Sequence, residues 1–400
     1  MEIRSFYPQP RLLMGPGPSD VSDRVLSALS RPTIGHLDPD FIFLMDEIKL
    51  LLQYAFQTNN ALTLPVSAPG SAGMETVFVN LIEPGDKVVV CRNGAFGERM
   101  RENVVRCGGH AVMVDSKWGE AVQLDQLERA LDNNPDAVAV AAVHAETSTG
   151  VCSDVHAIAT LADKHNCLSI IDAVTSLGGI PVKVDEWGID AIYSGTQKCL
   201  SCVPGLSPVS FSDKAVQRIT ARKHPVQSWF LDLNLVIGYW GKGSQTGGKR
   251  SYHHTAPVNN LYALHESLLM LKEETLSASW QRHQLNHQAL KAGIECLGLS
   301  FAVSADVRLP QLNTINVPEG VNEAQLRQQL LNDWQIEIGA GLGDLAGKVW
   351  RIGLMGHSAS QPKVLTLISA LAACLVAQGG SVDSLAAVKS ATKVYESAGN

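Results

Sequence analysis

The stretch Leu168-Ser169-Ile170-Ile171-Asp172-Ala173-Val174-Thr175-Ser176 and, soon after it, Ala191-Ile192-Tyr193-Ser194-Gly195-Thr196-Gln197-Lys198 decide how this chain folds. Each opens with a short apolar run and passes into small and polar residues. Similar runs recur at Lys87–Cys91, Ala111–Val114, Ala137–Val143 and Leu206–Phe211, with amphipathic stretches such as Leu124–Leu131 and Val155–Lys164 between them. Runs that are apolar on both faces and alternate with helical segments describe βαβ units, which build a mainly parallel sheet covered by helices. The fold class is therefore α/β. In such sheets ligands bind beyond the carboxyl ends of the strands, so the residues just after each run carry the functional question.

Further along, the pattern changes. Residues 225–257 are rich in loops, aromatics and glycines, including Trp240-Gly241-Lys242-Gly243 and Gly247-Gly248. One long helical stretch is expected from about Asn260 to Leu297, strands at 300–318 and 335–339, and helices at Glu323–Leu331 and Val364–Val376. These describe a smaller C-terminal α/β domain. The expected organisation is an N-terminal arm over 1–20, a large domain over 21–275, the small domain over 276–378 and a tail over 379–400 that lacks sustained apolar periodicity.

Composition narrows the possibilities. With 400 residues, 45% apolar and 18% charged, the chain reads as globular with a substantial core. Its net charge of −7 and the absence of a Lys/Arg block argue against a nucleic-acid partner or a polybasic membrane anchor. No apolar run approaches the roughly 20 residues that span a bilayer. The eight cysteines are scattered, which fits reduced thiols. Met1–Leu12 mixes charge, proline and aromatics, unlike a secretory signal, and Ser397-Ala398-Gly399-Asn400 is not a peroxisomal signal. A cytoplasmic protein is expected.

Lys198 lies just past a strand, flanked by small residues that let a planar group approach. A lysine in such a site is able to lose its charge and form an imine with an aldehyde. Alone, it also fits a solvated surface lysine. Asp172 closes the preceding strand, where a carboxylate is often only a cap or turn residue. Lying 26 positions before Lys198, it also suits a pairing with the pyridinium nitrogen of pyridoxal phosphate, which keeps that ring electron-poor. Ser67-Ala68-Pro69-Gly70-Ser71-Ala72-Gly73 then leads into the apolar helix Met74–Ile82. Free amides and the helix dipole at such a start favour a phosphate, although an ordinary loop and cap would read the same way. Cys199-Leu200-Ser201-Cys202 has CxxC spacing but no second pair, which argues against zinc. His253 and His254 are adjacent, so on an extended chain they point apart. No metal is expected.

Together these residues bring a family into view. The chain resembles class V of the fold-type-I pyridoxal-phosphate aminotransferases, and within it the alanine–glyoxylate / serine–pyruvate aminotransferases. The likeness runs through Met14-Gly15-Pro16-Gly17-Pro18-Ser19, Gly35-His36-Leu37-Asp38-Pro39, Met45-Asp46-Glu47-Ile48, His144–Gly150, Asp172–Gly179, Tyr193–Lys198, Tyr252-His253-His254-Thr255 and Lys348–Gly353, roughly residues 8–378. It implies a large domain built on a mainly parallel, seven-stranded-type sheet. It implies pyridoxal 5'-phosphate as cofactor, with Lys198 as Schiff-base lysine and Asp172 as partner of the ring nitrogen. Gly70, Ser71, Ala72 and Gln197 fall where the family binds the cofactor phosphate, Phe96 where relatives stack an aromatic on the ring, and Thr147 near the ring. Arg351, Gly17 and His36 match positions near the substrate, Arg351 being suited to a carboxylate by its two-donor fork. Tyr252 and Thr255 match residues that reach the neighbouring subunit's phosphate, which implies a homodimer with shared active sites.

Phe96 stands where animal members carry Trp, and Ser71 where they carry His. The resemblance implies transfer of an amino group from L-alanine or L-serine to glyoxylate in a ping-pong reaction, with small-molecule amino acids and 2-oxo acids as substrates. Cousins use ureidoglycine, 3-hydroxykynurenine, 2-aminoethylphosphonate or pyridoxamine as donors. Cysteine desulfurase shares the fold but usually carries His before its lysine, where this chain has Gln197. A non-enzymatic paralogue would be expected to lose Lys198, Asp172 or Arg351, and all three are present.

Overall fold

The computed structural model describes residues 3–241 and 250–398, so the glycine-rich positions 242–249 lie outside the described residues. The chain opens with a short strand β1 (Leu12–Leu13) and helices α1 (Asp23–Leu29) and α2 (Pro39–Phe56). Asp38 starts α2 by accepting the Asp40 amide at 2.9 Å, and Pro39 fills the first turn, where its missing N–H costs nothing. There follow β2 (Leu62–Val66), α3 (Gly70–Leu81), β3 (Lys87–Arg92), α4 (Ala95–Arg106), β4 (His110–Asp115), α5 (Leu124–Asp132) and β5 (Ala137–Val143). A small hairpin, β6 (Ala145–Glu146) and β7 (Val151–Cys152), leads to α6 (Val155–Lys164), β8 (Leu168–Asp172), β9 (Ala191–Tyr193), β10 (Ser207–Phe211), α7 (Asp213–Thr220) and α8 (Leu233–Trp240).

Seven of these strands form one sheet in the order β2-β10-β9-β8-β5-β3-β4. Only β10 runs against its neighbours. The six apolar runs expected as strands are all in it. The seventh strand, β2, escaped the reading because Pro65 sits within it. At the sheet's edge a proline removes no ladder bond, and β2 pairs with β10 alone. Val88–Cys91 and Ala139–Ala142 are fully buried, as the middle of a sheet covered on both faces requires.

Two long helices follow, α9 (Val258–Glu274) and α10 (Leu276–Cys296). The single helix expected here is broken at Thr275, whose φ of 74° lies in the left-handed region and whose hydroxyl caps the Ala278 amide. Beyond lie β11 (Leu312–Asn316), α11 (Glu323–Trp334), β12 (Ile336–Glu337), β13 (Gly339–Ala340), β14 (Val349–Gly353), α12 (Gln361–Ala377) and α13 (Ser384–Ala398). Only the last part of 300–318 is a strand. Residues before it turn, with the Val307 amide bonded to the Ser304 carbonyl at 3.3 Å, and Phe301 adds one isolated bridge to Ile315.

A second hydrophobic core gathers α10, α11, α12, β14 and, from the chain's start, Met14. The N-terminal arm is held here too, since β1 pairs in parallel with β12. A small apolar cluster of Ala145, Ile180, Cys199, Leu309, Leu312 and Met355 lies apart from both main cores and draws on segments of each. The residues from Gly379, expected as a loose tail, instead form α13. Its fully buried residues are Ala387 and Ala391, with Val388, Val394 and Tyr395 partly buried against the same core, and the Tyr395 hydroxyl donates to Asn286 Oδ1 at 2.8 Å. Alanine gives a weak periodic signal in the sequence, yet it allows close helix packing. Among the described residues no helix is long and apolar enough to cross a membrane.

Docking of α13 gives a direct prediction. Ala391→Asp buries an unpaired carboxylate and should cost at least about 2 kcal/mol of stability in a denaturant melt. An unchanged midpoint would mean that α13 does not pack as described.

Candidate active site

The carboxyl ends of β8 and β9 lie side by side, with Asp172 paired to Tyr193 in register. Beyond β9 the chain turns under tight control. The Ser194 hydroxyl donates to the Ala173 carbonyl at 3.0 Å, the Ser207 hydroxyl to the Ser194 carbonyl at 2.6 Å, and the Thr196 hydroxyl to the Val203 carbonyl at 2.7 Å. These bonds present Lys198 to a cavity of about 180 Å³ that Asp172, Tyr193, Gln197, Gly70, Ser71, Phe96 and Thr147 also line.

Asp172 is buried and accepts the Val174 amide at 2.8 Å. Burial pushes its carboxyl up to about 7, against the pull of that amide and of Lys198. The Tyr193 hydroxyl lies beside it, fully buried, without a well-formed hydrogen bond among the described residues. Burial pushes the Lys198 amine down to about 8, and Arg351 adds to the effect. The amine donates to the Pro16 carbonyl. Gly17 makes room for it, since a Cβ there would lie 2.2 Å from Nζ.

Gly70 opens α3, whose cap residue Pro69 offers no side-chain acceptor. A Cβ on Gly70 would sit 3.4 Å from Val174 Cγ2 and 3.5 Å from Gly195 Cα, so the start of α3 lies directly against the Asp172–Lys198 region. Among the described residues Gln197 Oε1 is buried without a hydrogen-bond partner. On the opposite wall Phe96 lies in the first turn of α4, with the Arg99 guanidinium 4.7 Å from its ring centre. Arg351, on β14, is buried and reaches across from the second core. Its Nε donates to the Ala340 carbonyl at 2.6 Å and Nη1 to the Thr147 carbonyl at 2.9 Å. Desolvation lowers its guanidinium to about 10.

Of the expected residues, Ala72 is in the first turn of α3 but does not itself line this cavity, and His36, Tyr252 and Thr255 lie elsewhere. His36 packs 5.4 Å from the Tyr252 ring and 6.2 Å from that of Tyr239. Tyr252 is 63% exposed, and Thr255 is exposed as well. His253 and His254, expected to point apart, share a 2.8 Å bond between their Nδ1 atoms because the chain bends there, and His254 Nε2 meets the Ser67 hydroxyl at 2.7 Å. Cys199 and Cys202 are buried free thiols, the first bonded to the Thr175 carbonyl at 3.2 Å. Among the described residues no group of three or more His, Cys, Asp or Glu side chains is arranged to hold a metal.

Sequence reasoning passed over Tyr193, Met74, Arg99 and Val174, which line the cavity. It also passed over Glu146, which is fully buried behind Phe96. Tyr193 and Glu146 stood inside quoted motifs, and an acid within an otherwise small and hydroxylic segment was the available signal.

The sequence matches the family Aminotransferase class-V over residues 20–350. It is 41% identical to the alanine–glyoxylate aminotransferase of Rattus norvegicus, over 88% of this chain and 84% of the relative. The structure superimposes on the alanine–glyoxylate aminotransferase of a Nostoc species with a TM-score of 0.90 at 43% identity, covering 94% and 98% of the two chains. On the ureidoglycine–glyoxylate aminotransferase of Bacillus subtilis the TM-score is 0.95 at 36% identity, covering 98% and 100%. The fold is thus that of the fold-type-I aminotransferases, and the chain belongs to the class-V aminotransferase family, as a transaminase.

Proposed function

We propose that this transaminase carries pyridoxal 5'-phosphate and moves an amino group from L-alanine or L-serine to glyoxylate. The observation that carries the reading is the meeting of Lys198, Asp172 and the uncapped start of α3 at one cavity. The cavity's chemistry fits the cofactor. The side-chain amide of Gln197, whose Oε1 has no partner among the described residues, brings NH2 donors that suit an anion, as do the first amides of α3, and the buried Asp172 suits a cationic ring nitrogen. Lys198 would bond the cofactor, Asp172 face its nitrogen, Phe96 stack on its ring with Thr147 nearby, and Gly70, Ser71, Ala72 and Gln197 hold its phosphate. When bound, pyridoxal phosphate supplies an aldehyde that exchanges the amino group and a ring that accepts electrons from the substrate Cα.

The chain's own residues do the rest. Desolvation brings the Lys198 amine down to about 8, so it loses its proton far more readily than a solvated lysine, takes the proton from the substrate Cα and carries it as the acid of the following step. Arg351 holds the substrate carboxylate. Two of its donors are spent on carbonyls, and Nη2 keeps no protein acceptor among the described residues. Gly17 keeps Lys198 and the substrate in close approach. The likeness to the Bacillus subtilis enzyme along nearly the whole chain supports ureidoglycine as an alternative donor. We further propose a homodimer in which Tyr252 and Thr255 reach the partner's site and His36 borders it. Their exposure, with that of Phe43, Leu50 and Trp229, suits such a face. A cytoplasmic setting accords with the buried free thiols.

Adding pyridoxal phosphate should produce a visible absorbance band that L-alanine or L-serine bleaches and glyoxylate restores. Lys198→Ala should lose the band and at least about a thousandfold in turnover. A band indifferent to both donors but bleached by ureidoglycine would move the assignment to that donor, and no band at all would sink the cofactor reading. In sedimentation the protein should run at twice the mass of one chain, and a monomer would exclude shared sites.

Asp172 also predicts a pH dependence of the cofactor-free protein. Its folded value, about 7, lies above the ordinary 3.8. The neutral form is therefore favoured in the fold, and the associated stability is complete below pH 4 and lost as pH rises to 7 and above, at about 1.4 kcal/mol per unit. Asp172→Asn should consequently gain thermal stability over the parent at pH 8 but not at pH 4, while binding pyridoxal phosphate more weakly. Equal melting differences at both values would show that Asp172 is not desolvated as described.

A further inference from the structure

Glu146 is the buried acid for which the chemistry above has no task. It lies on β6 next to Thr147, with none of its surface exposed. One carboxylate oxygen, Oε2, accepts the Phe96 amide at 3.1 Å. The other, Oε1, accepts the Ser148 amide at 3.0 Å and the Ser148 hydroxyl at 2.6 Å. The Ser148 oxygen in turn accepts the Ala95 amide at 2.9 Å. These are the first amides of α4, and its own cap residue, Gly94, has no side chain to satisfy them. The cap therefore comes from a segment some 50 positions away in the chain. Gly94 is the matching half of the device, because a Cβ on it would stand 2.4 Å from both Glu146 Cδ and Ser148 Oγ.

The same short segment holds the opposite side of the site. The carbonyl of Thr147, the residue after Glu146, accepts Arg351 Nη1 at 2.9 Å. Phe96 and Arg351 are thus tied to adjacent residues of one strand end, the first through a side chain and the second through the backbone. Charge adds to geometry. Glu146 opposes ionisation of Asp172 and favours the charged form of Arg351, while burial raises its own carboxyl against the pull of the Ser148 and Phe96 donors.

We infer that Glu146 is a positioning residue that, with Ser148, caps α4 and so fixes the Phe96 ring relative to the carboxylate grip of Arg351. The inference rests on the cofactor reading proposed above, but the cap itself is measurable without cofactor. In Glu146→Gln one acceptor oxygen is replaced by an amide that cannot accept, so the Phe96 and Ser148 donors cannot both be served.

The test uses the full-length protein. In the cofactor-free state, hydrogen exchange at Ala95–Gly97 should be at least tenfold faster in Glu146→Gln than in the parent, with α6 unchanged. After loading with pyridoxal phosphate, the variant should show the parent's absorbance band but a visible circular-dichroism band changed by a third or more. KM for L-alanine should rise more than kcat falls. Glu146→Asp, too short to reach both donors, should not restore these properties. Ser148→Ala, a mild change that keeps the chain folded if Glu146→Gln does not, should shift the same readouts in the same direction. Parent-like exchange at Ala95–Gly97 in both variants would overturn the cap. Faster exchange with unaltered dichroism and KM would overturn the positioning role. If the parent itself forms no band with pyridoxal phosphate, the cofactor reading fails and takes the positioning role with it, while the exchange result still decides the cap.

Discussion

Everything at this site depends on keeping an amine and a carboxylate out of water at one cavity. Lys198 and Asp172 each pay a desolvation penalty, which drives the amine down and the carboxyl up until both titrate near neutrality. Their placement is a consequence of topology. β8 and β9 are parallel neighbours, so the residues leaving their ends emerge on the same rim, and the apolar runs before them are buried on both faces. A sheet of this kind brings polar groups together only at its rim, where every strand stops.

The rim is closed from the other direction by the chain's beginning and end. β1 pairs with β12, the Met14 carbonyl accepts the Gly353 amide at 2.7 Å, and Pro16 then offers its carbonyl to Lys198. Arg351 enters from the neighbouring strand β14 and bonds to Thr147 on the large sheet's side. The arm is therefore a wall of the lysine's environment as well as a packing element of the second core. Desolvation of Lys198 requires both cores to be assembled, which couples the chemistry of one residue to the fold of the whole chain.

Much of this was legible in the sequence. Long apolar runs gave strands whose ends fell within a residue of those observed, because a strand buried on both faces has no other composition open to it. Lys198, Asp172, Gly70 and Gln197 could be grouped because each follows such a run or opens a helix. What escaped had physical reasons as well. β2 contains a proline that only an edge position tolerates. α13 buries alanines most deeply, and their burial leaves little hydrophobic contrast. The break at Thr275 violates local preference and is held by the packing of helices on each side. Glu146 acts across the chain on a helix that shows only the absence of a cap. Such reciprocal features, a glycine here and an acid fifty residues away, become readable only when the fold has brought them into contact.

The geometry also separates what relatives must share from what they are free to vary. Lys198, Asp172, the start of α3 and the Glu146–Ser148 cap all belong to the main sheet and its immediate loops, and all but the cap line one cavity, which the cap borders through Phe96. His36, Tyr252 and Thr255 stand apart from that cavity, on partly exposed segments. Relatives named for alanine and for ureidoglycine align along nearly this entire chain. A difference in donor between such relatives is therefore better sought in the exposed cluster than in the desolvated pair, because the cluster can change shape without disturbing the proton chemistry.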